Sequence, residues 1–261
     1  MHFDHHAEVY EKFRPPYPEA LWQRLTELRV LRPGVRVLEL GAGTGEATGR
    51  LVESGAMVTA VEPGEALAQR LRHRVPEARV VEATAETAAA PDSAFDVAVV
   101  ATAVHWLDLT VVVPMVHRAL APGGRLAVWR NVFGDPGVPT RFRERVADVV
   151  ARRTWPQRPS GLETDEWISR LTATGHFVAS HTEVFRWSID LDADQVRGLF
   201  STFSDWSEAE VDEISQFARA MGEPVLEHYT SWLIIASPSA HKKGAGREGP
   251  APEAADKELG A

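Results

Sequence analysis

Val37-Leu38-Glu39-Leu40-Gly41-Ala42-Gly43-Thr44-Gly45-Glu46 is the stretch on which the reading of this chain turns. An apolar, strand-like run from Val35 to Leu40 leads into three glycines at alternate positions, and a helical pattern continues through Val52. Glycine lets the backbone come within touching distance of a ligand, and a helix starting there offers free N–H groups to polar or anionic groups. The register of the glycines separates the possible ligands. A dinucleotide fingerprint needs its third glycine at position 46, where Glu46 would oppose a pyrophosphate, and this disfavours a dehydrogenase. No Gly-Lys-Ser/Thr follows, so a phosphate loop fails too. What remains is Glu39-x-Gly41-x-Gly43-x-Gly45, with an acid two residues before the first glycine.

Outward from this turn, short apolar runs alternate with amphipathic segments, the signature of βαβ units and a sheet covered on both faces. Pro18 to Leu28 reads as a helix with Leu21, Trp22, Leu25 and Leu28 on one stripe. Further strands read at Met57 to Val61, Ala78 to Val81, Phe95 to Ala101 and Arg125 to Trp129, with helices at Glu65 to Arg74 and across Val111 to Leu120. The fifth strand is entered through the turn Pro122-Gly123-Gly124. After Asn131 the rhythm breaks, and residues 132–175 read as an insertion over the C-terminal edge of the sheet. Phe177 to Ile189 and Val225 to Ala236 read as two long strands, with helices in Ala193 to Met221 between them, returning as an antiparallel edge hairpin. The expected architecture is α/β: a doubly wound, seven-stranded, mostly parallel sheet. Residues 1–236 make one domain on this reading, and residues 237–261, rich in Ser, Ala, Gly, Pro and balanced charge, read as a disordered tail.

Composition narrows the chemistry. Over 261 residues, Lys+Arg 28 against Asp+Glu 37 gives a net charge of −9, and cysteine is absent. An acidic body repels phosphate backbones, so no nucleic-acid partner is expected. The missing cysteine removes disulfides, thiolate metal sites and any Cys nucleophile. His2, His5 and His6, at the N-terminus, read as solvated, so no metal is expected. Neither a signal peptide nor an apolar run of membrane length is visible, which points to a cytoplasmic protein with no membrane partner, as monomer or homodimer.

On these motifs the sequence resembles class I S-adenosylmethionine-dependent methyltransferases, whose Rossmann-like fold and order of motifs it follows from about residue 8 to residue 130. Within them it is similar to the small-molecule branch of the trans-aconitate and ubiquinone type, the methyltransferase type 11 domain. That branch shares an N-terminal Tyr/Arg/Pro segment, here Tyr10 to Pro18, and a His-Trp pair after the fourth strand. The resemblance implies S-adenosyl-L-methionine as cofactor, S-adenosyl-L-homocysteine as product, and a site made of Glu39, Gly41, Ala42, Gly43, Thr44 and Gly45. It adds Glu62-Pro63 at the ribose, Ala85 and Glu86 near the adenine, and Thr102-Ala103 after the fourth strand, which opens with Phe95-Asp96. Tyr10, Arg14 and Tyr17 are expected to form a lid over the cofactor, Arg14 suiting its carboxylate and the aromatic faces its sulfonium, with an ordinary N-terminal packing segment as the alternative.

His105 stands where that family faces the methyl group, and an imidazole that titrates near neutrality can take a proton from the acceptor. The competing reading has His105 and Trp106 merely lining the pocket. Tyr17, Trp106, Phe133, Phe203 and Trp206 are the candidate acceptor-binding residues, and Phe200, Trp129 and Trp187 extend that aromatic series. Core packing is the alternative for each. The activity expected is methyl transfer to O, N or C of a small molecule, in specialised metabolism. The alternatives are a nucleic-acid or protein methyltransferase, or a protein that holds the cofactor structurally without turning it over.

Overall fold

A computed structural model describes residues 7–154 and 164–239. Its elements are α1 (Ala7–Phe13), α2 (Glu19–Glu27), β1 (Arg36–Leu40), α3 (Glu46–Glu53), β2 (Met57–Val61), α4 (Glu65–Arg74), β3 (Arg79–Val81) and β4 (Phe95–Ala101). A 3-10 turn (Ala103–Trp106) follows, then α5 (Leu109–Ala119), β5 (Leu120–Phe133), α6 (Arg141–Ala151), α7 (Thr164–Thr172), β6 (Phe177–Leu191), α8 (Ala193–Ser201), α9 (Glu208–Met221) and β7 (Val225–Pro238).

The seven strands form one sheet in the order β3-β2-β1-β4-β5-β7-β6. Neighbours from β3 to β5 pair in parallel, and β7 pairs antiparallel with both β5 and β6. Val97, Ala98, Val99 and Val100 of β4 are all buried, because a central parallel strand meets helices on both faces. One face packs Leu38, Val100, Val128 and Trp232 against α5 and α7; the other packs Val37, Val99, Trp129 and Leu233 against α2 and α3. At the N-terminal edge of the sheet, Asp96 accepts Nε and Nη2 of Arg36 at 3.1 and 2.8 Å, clamping the starts of β1 and β4. The Arg36 hydrogen bond pushes the Asp96 carboxyl down to about 2.

The structure departs from the sequence reading in the hairpin and the insertion. β5 does not end at Trp129, where its pairing with Ala101 of β4 stops. It continues to Phe133, because β7 carries the ladder on through Asn131↔Ser231, Val132↔Thr230 and Phe133↔Tyr229. The expected insertion therefore starts later than Val132, and it divides between the two faces. α7 lies with α5 in one core, through Trp167 and Leu171, while α6 joins α8 and α9 in a separate core over Phe133 and Tyr229. Likewise β7 runs past Ala236: Ser237 and Pro238, expected in the tail, pair with Val178 and Phe177 of β6. Ser239 donates its N–H to the His176 carbonyl at 2.8 Å, and residues 240–261 lie outside the described residues, as do His2, His5 and His6.

The overhang shapes the cleft. β5, β6 and β7 have 14 to 15 residues each, against 7 at most for β1 to β4, so they project beyond the C-terminal ends of β1 to β4. The third core is built on that projection by α6, α8 and α9.

Candidate active site

Glu39 and Glu62 sit at the C-terminal ends of adjacent parallel strands, where such sheets hold their ligands. Both are buried, at 1% and 5% exposure. Glu62 accepts the Gly43 N–H on one carboxylate oxygen at 2.8 Å and the Gly64 N–H on the other at 2.9 Å, so it ties together the loops that follow β1 and β2. Gly43 has φ +59°, and nothing lies within 4 Å of the place a side chain would take. Gly41, at φ +70°, is tight instead: an added Cβ would stand 2.5 Å from the Cβ of Ala103. The glycine turn and the 3-10 turn after β4 are therefore packed against each other, which sets His105 beside the loop. Ala42 and Thr44 are buried in that turn, Pro63 is half-buried, and Ala85 is buried in the core that contains Leu40 and Val61.

Burial pushes the Glu39 carboxyl up to about 8, helped by the nearby Glu62 and opposed by the Thr48 hydroxyl, which donates to Oε2 at 2.7 Å. Among the described residues the other oxygen, Oε1, has no hydrogen-bond partner. A carboxyl whose value rises on folding contributes stability below its unfolded value, about 4.5, and that stability is lost as the pH rises toward about 8. Each pH unit in that window is worth up to about 1.4 kcal/mol. The Tm of the ligand-free protein is therefore expected to fall between pH 5 and pH 8, and Glu39→Gln should flatten this fall. An equally steep decline in the variant, followed by scanning calorimetry, would clear Glu39 of the effect.

Thr102 caps the 3-10 turn at φ +65°, a region that costs a β-branched residue about 1–3 kcal/mol. Its hydroxyl meets the Tyr17 hydroxyl at 2.8 Å, and its N–H donates to the Trp129 carbonyl at 2.7 Å. His105 stacks obliquely on Trp106, ring centres 4.7 Å apart, while Trp106 itself is 55% exposed. Glu86 accepts the N–H of Asp108, and that bond draws its carboxyl below the usual range.

A strap formed by Arg14, Pro15, Pro16 and Tyr17 crosses the projecting hairpin. Asn131 donates to the carbonyls of Pro15 and Pro16 at 3.4 and 3.2 Å. Ser231 donates to Asn131 at 2.7 Å, and the Trp187 indole N–H donates to Ser231 at 2.8 Å, so three strands fasten the strap through one relay. Arg14 donates to the Thr202 carbonyl at 3.1 Å and lies over the rings of Phe133 and Phe203, at 5.1 and 4.8 Å. The structure thus groups Arg14 with the candidate acceptor residues. Phe133 and Phe203 meet edge to face at 4.6 Å, whereas Trp206 packs on Phe200 and under Arg153, farther out. Tyr10 lies on α1. Asn131, Ser231 and Trp187 escaped the sequence reading as a relay because they come from three strands whose pairing is antiparallel and remote in sequence.

Comparison with known proteins shows the family of this chain. Residues 38–128, from Glu39's strand to the middle of β5, match the methyltransferase domain family Methyltransf_11. An uncharacterized methyltransferase of Mycobacterium tuberculosis is 42% identical over 212 residues, which cover 74% of this chain and 83% of that one. The chain belongs to the class I S-adenosylmethionine-dependent methyltransferases. Among further relatives, the demethylmenaquinone methyltransferase of Corynebacterium kroppenstedtii is 32% identical over 194 residues, 63% of this chain and 82% of its own. A solved structure from Anaeromyxobacter dehalogenans, described as a type II methyltransferase, superposes with a TM-score of 0.64 at 26% identity, over 85% of this chain and 97% of that one.

The residues of this methyltransferase fit the family's cofactor. The orphaned Oε1 of Glu39 suits an ammonium group, and the open space at Gly43 admits the ligand against the backbone. A carboxylate oxygen accepts more than one hydrogen bond, so Glu62 can hold its two loops and still receive two ribose hydroxyls. A cation bound beside Glu39 and Glu62 would draw the Glu39 carboxyl back down and leave it charged. Among the described residues no cluster of His, Asp and Glu could hold a metal ion, and no helix is long and apolar enough to cross a membrane.

Proposed function

We propose that this methyltransferase acts on O, N or C of a small-molecule acceptor, in the cytoplasm and in specialised metabolism, as monomer or homodimer. The observation that carries the reading is the strap. The chain's own N-terminal segment, fastened to β5, β6 and β7, roofs the aromatic surface of Phe133 and Phe203, which suits an enclosed acceptor better than a polymer. The net charge of −9 supports the same choice by disfavouring a polyanion. One relative is named for demethylmenaquinone, a small molecule.

When bound, S-adenosylmethionine supplies a methyl carbon on a cationic sulfur, open to in-line displacement by the acceptor. Glu39, Glu62 and the glycine turn position that group, and alignment alone is worth up to about 7–11 kcal/mol in well-oriented model reactions. Thr102, held in a strained conformation by Tyr17 and Trp129, fixes the turn that carries His105. In this reading His105 takes the acceptor's proton, and Trp106 stands at the rim.

Incubating the protein with methyl-labelled cofactor and an extract of its source organism tests the function: a labelled small molecule is expected, and label only in nucleic acid or protein would overturn the reading. With the acceptor in hand, His105→Ala should lower turnover at neutral pH by about 100-fold, in the usual range for losing a general base. Full turnover in that variant removes the proton-transfer role.

A further inference from the structure

β6 is the last strand of the sheet and its hydrogen-bonded neighbour is β7, so among the described residues the ladder ends at its outer side. With 15 residues, that edge runs for about 50 Å. Unpaired N–H and C=O groups in such a row are a template for another strand, and sheets usually guard their edges with lysine, proline, short strands or bulges. β6 contains neither lysine nor proline, and its register shift, between Ala179 and His181, leaves the ladder from His181 to Leu191 regular.

The long side chains that could screen this edge are drawn inward. Arg186 reaches across β7 to Asp135, just after β5, at 3.2 Å. Glu183 accepts Nε of Arg24 on α2 at 2.6 Å and lies 3.0 Å from Nε2 of His181. The Trp187 ring stacks on Tyr229 of β7, ring centres 4.7 Å apart, and its N–H donates to Ser231 of the same strand. The charges of Glu183 and Arg186 are thus met within the chain, and Val184, on the opposite face from Glu183, stands 40% exposed between them. The body as a whole carries a net charge of −9, so two copies approach most easily where charge is cancelled locally.

This segment is complementary to itself. An antiparallel copy on a two-fold axis at Val184 sets Val184 opposite Val184, Glu183 opposite Phe185, Thr182 opposite Arg186 and His181 opposite Trp187, with no like charges facing. An axis at Glu183 or at Arg186 would oppose like charges, and one at Phe185 would set Arg186 against the exposed Val184. We propose that β6 is the self-association surface of this methyltransferase: two copies pair antiparallel through residues 181–187 about an axis at Val184, joining their seven-stranded sheets into one. The assignment does not depend on the identity of the methyl acceptor.

Sedimentation equilibrium of the full-length protein over a hundredfold range of concentration tests the pairing, with Val184→Lys and Val184→Glu as variants. The wild type should reach the mass of two chains. Each variant sets like charges face to face across the axis and should weaken association at least tenfold. An equimolar mixture of the two faces opposite charges, and its association should return to within threefold of the wild type. Val184 is partly exposed and lies outside the cofactor and acceptor residues, so at low concentration both variants should melt as the wild type does, which separates lost pairing from lost folding. A wild type that stays monomeric throughout overturns the proposal, and slow amide exchange over residues 181–187 in that monomer would mean that the chain covers its own edge. A dimer retained by both variants places the contact elsewhere and overturns it too, as does a mixture no stronger than its components.

Discussion

Glu62→Ala is expected to weaken the binding of S-adenosylhomocysteine by about 100-fold or more, since each hydrogen bond to a charged group contributes about 1.5–3 kcal/mol and the proposed ribose contact comprises two. The change has a second cost. With the carboxylate gone, the N–H groups of Gly43 and Gly64 lose their acceptor, and the loops after β1 and β2 are no longer tied to each other. Glu62→Gln separates the two effects. It keeps one oxygen and the shape of the side chain, so one loop remains held, while the second oxygen becomes a donor facing a donor. Its affinity should fall between those of the wild type and Glu62→Ala. Calorimetric titration at neutral pH reads all three proteins, and a dissociation constant for Glu62→Ala within threefold of wild type would rule out the ribose contact.

Gly198→Ala should release the N-terminal strap and leave the cofactor side intact. A Cβ at Gly198, in the middle of α8, would run into the ring of Phe13, the last residue of α1. Alanine is the better helix former by about 1 kcal/mol, so α8 itself gains from the change. The loss falls on the docking of α1 and hence on the Arg14–Tyr17 strap. Trypsin cleavage after Lys12 is expected to quicken at least tenfold, and the acceptor KM to rise by a similar factor, with S-adenosylhomocysteine affinity unchanged. Adding Phe13→Ala should restore protection by clearing the overlap. This variant also decides where Arg14 acts. If it faced the cofactor's carboxylate, as the sequence alone suggests, S-adenosylhomocysteine affinity would drop along with strap docking.

The two halves of the site differ in how far the sequence reveals them. Glu39, Gly41, Gly43 and Gly45 lie within seven residues of one another, and a strand running into a glycine turn and a helix leaves little freedom in where they point. Glu62 follows one crossover later, at the end of the neighbouring parallel strand. The acceptor side has no such local grammar. Phe133 and Phe203 are legible as an aromatic series, but Asn131, Ser231 and Trp187 become a relay only through the register of β5, β7 and β6. Glu227, a buried acid of β7 bonded to Arg143 of α6, does carry a signal. In the alternation Val225, Glu227, Tyr229, Ser231, Leu233, Ile235, a carboxylate occupies a core-facing position of a long strand, which a merely solvated acid avoids. The overrun of β5 past Trp129 is hidden because the strand's second half is stabilised by an antiparallel partner about one hundred residues away rather than by its own sequence pattern.

The strap joins opposite ends of the chain. Arg14 reaches a carbonyl 188 residues away at Thr202, and the Asn131 side chain that holds Pro15 is itself held by Ser231, 100 residues on. During synthesis the first five strands emerge well before β7 exists. At roughly 5–20 residues per second, Ser231 follows Asn131 by about 5–20 s. For that interval the newborn chain has the loops after β1 and β2 but no latch, and Phe133 lacks the Phe203 and Tyr229 rings that pack on it. The moment of greatest exposure is therefore set by translation speed across α6 to α9, and slowing the ribosome there would lengthen the window for aggregation without altering the finished enzyme.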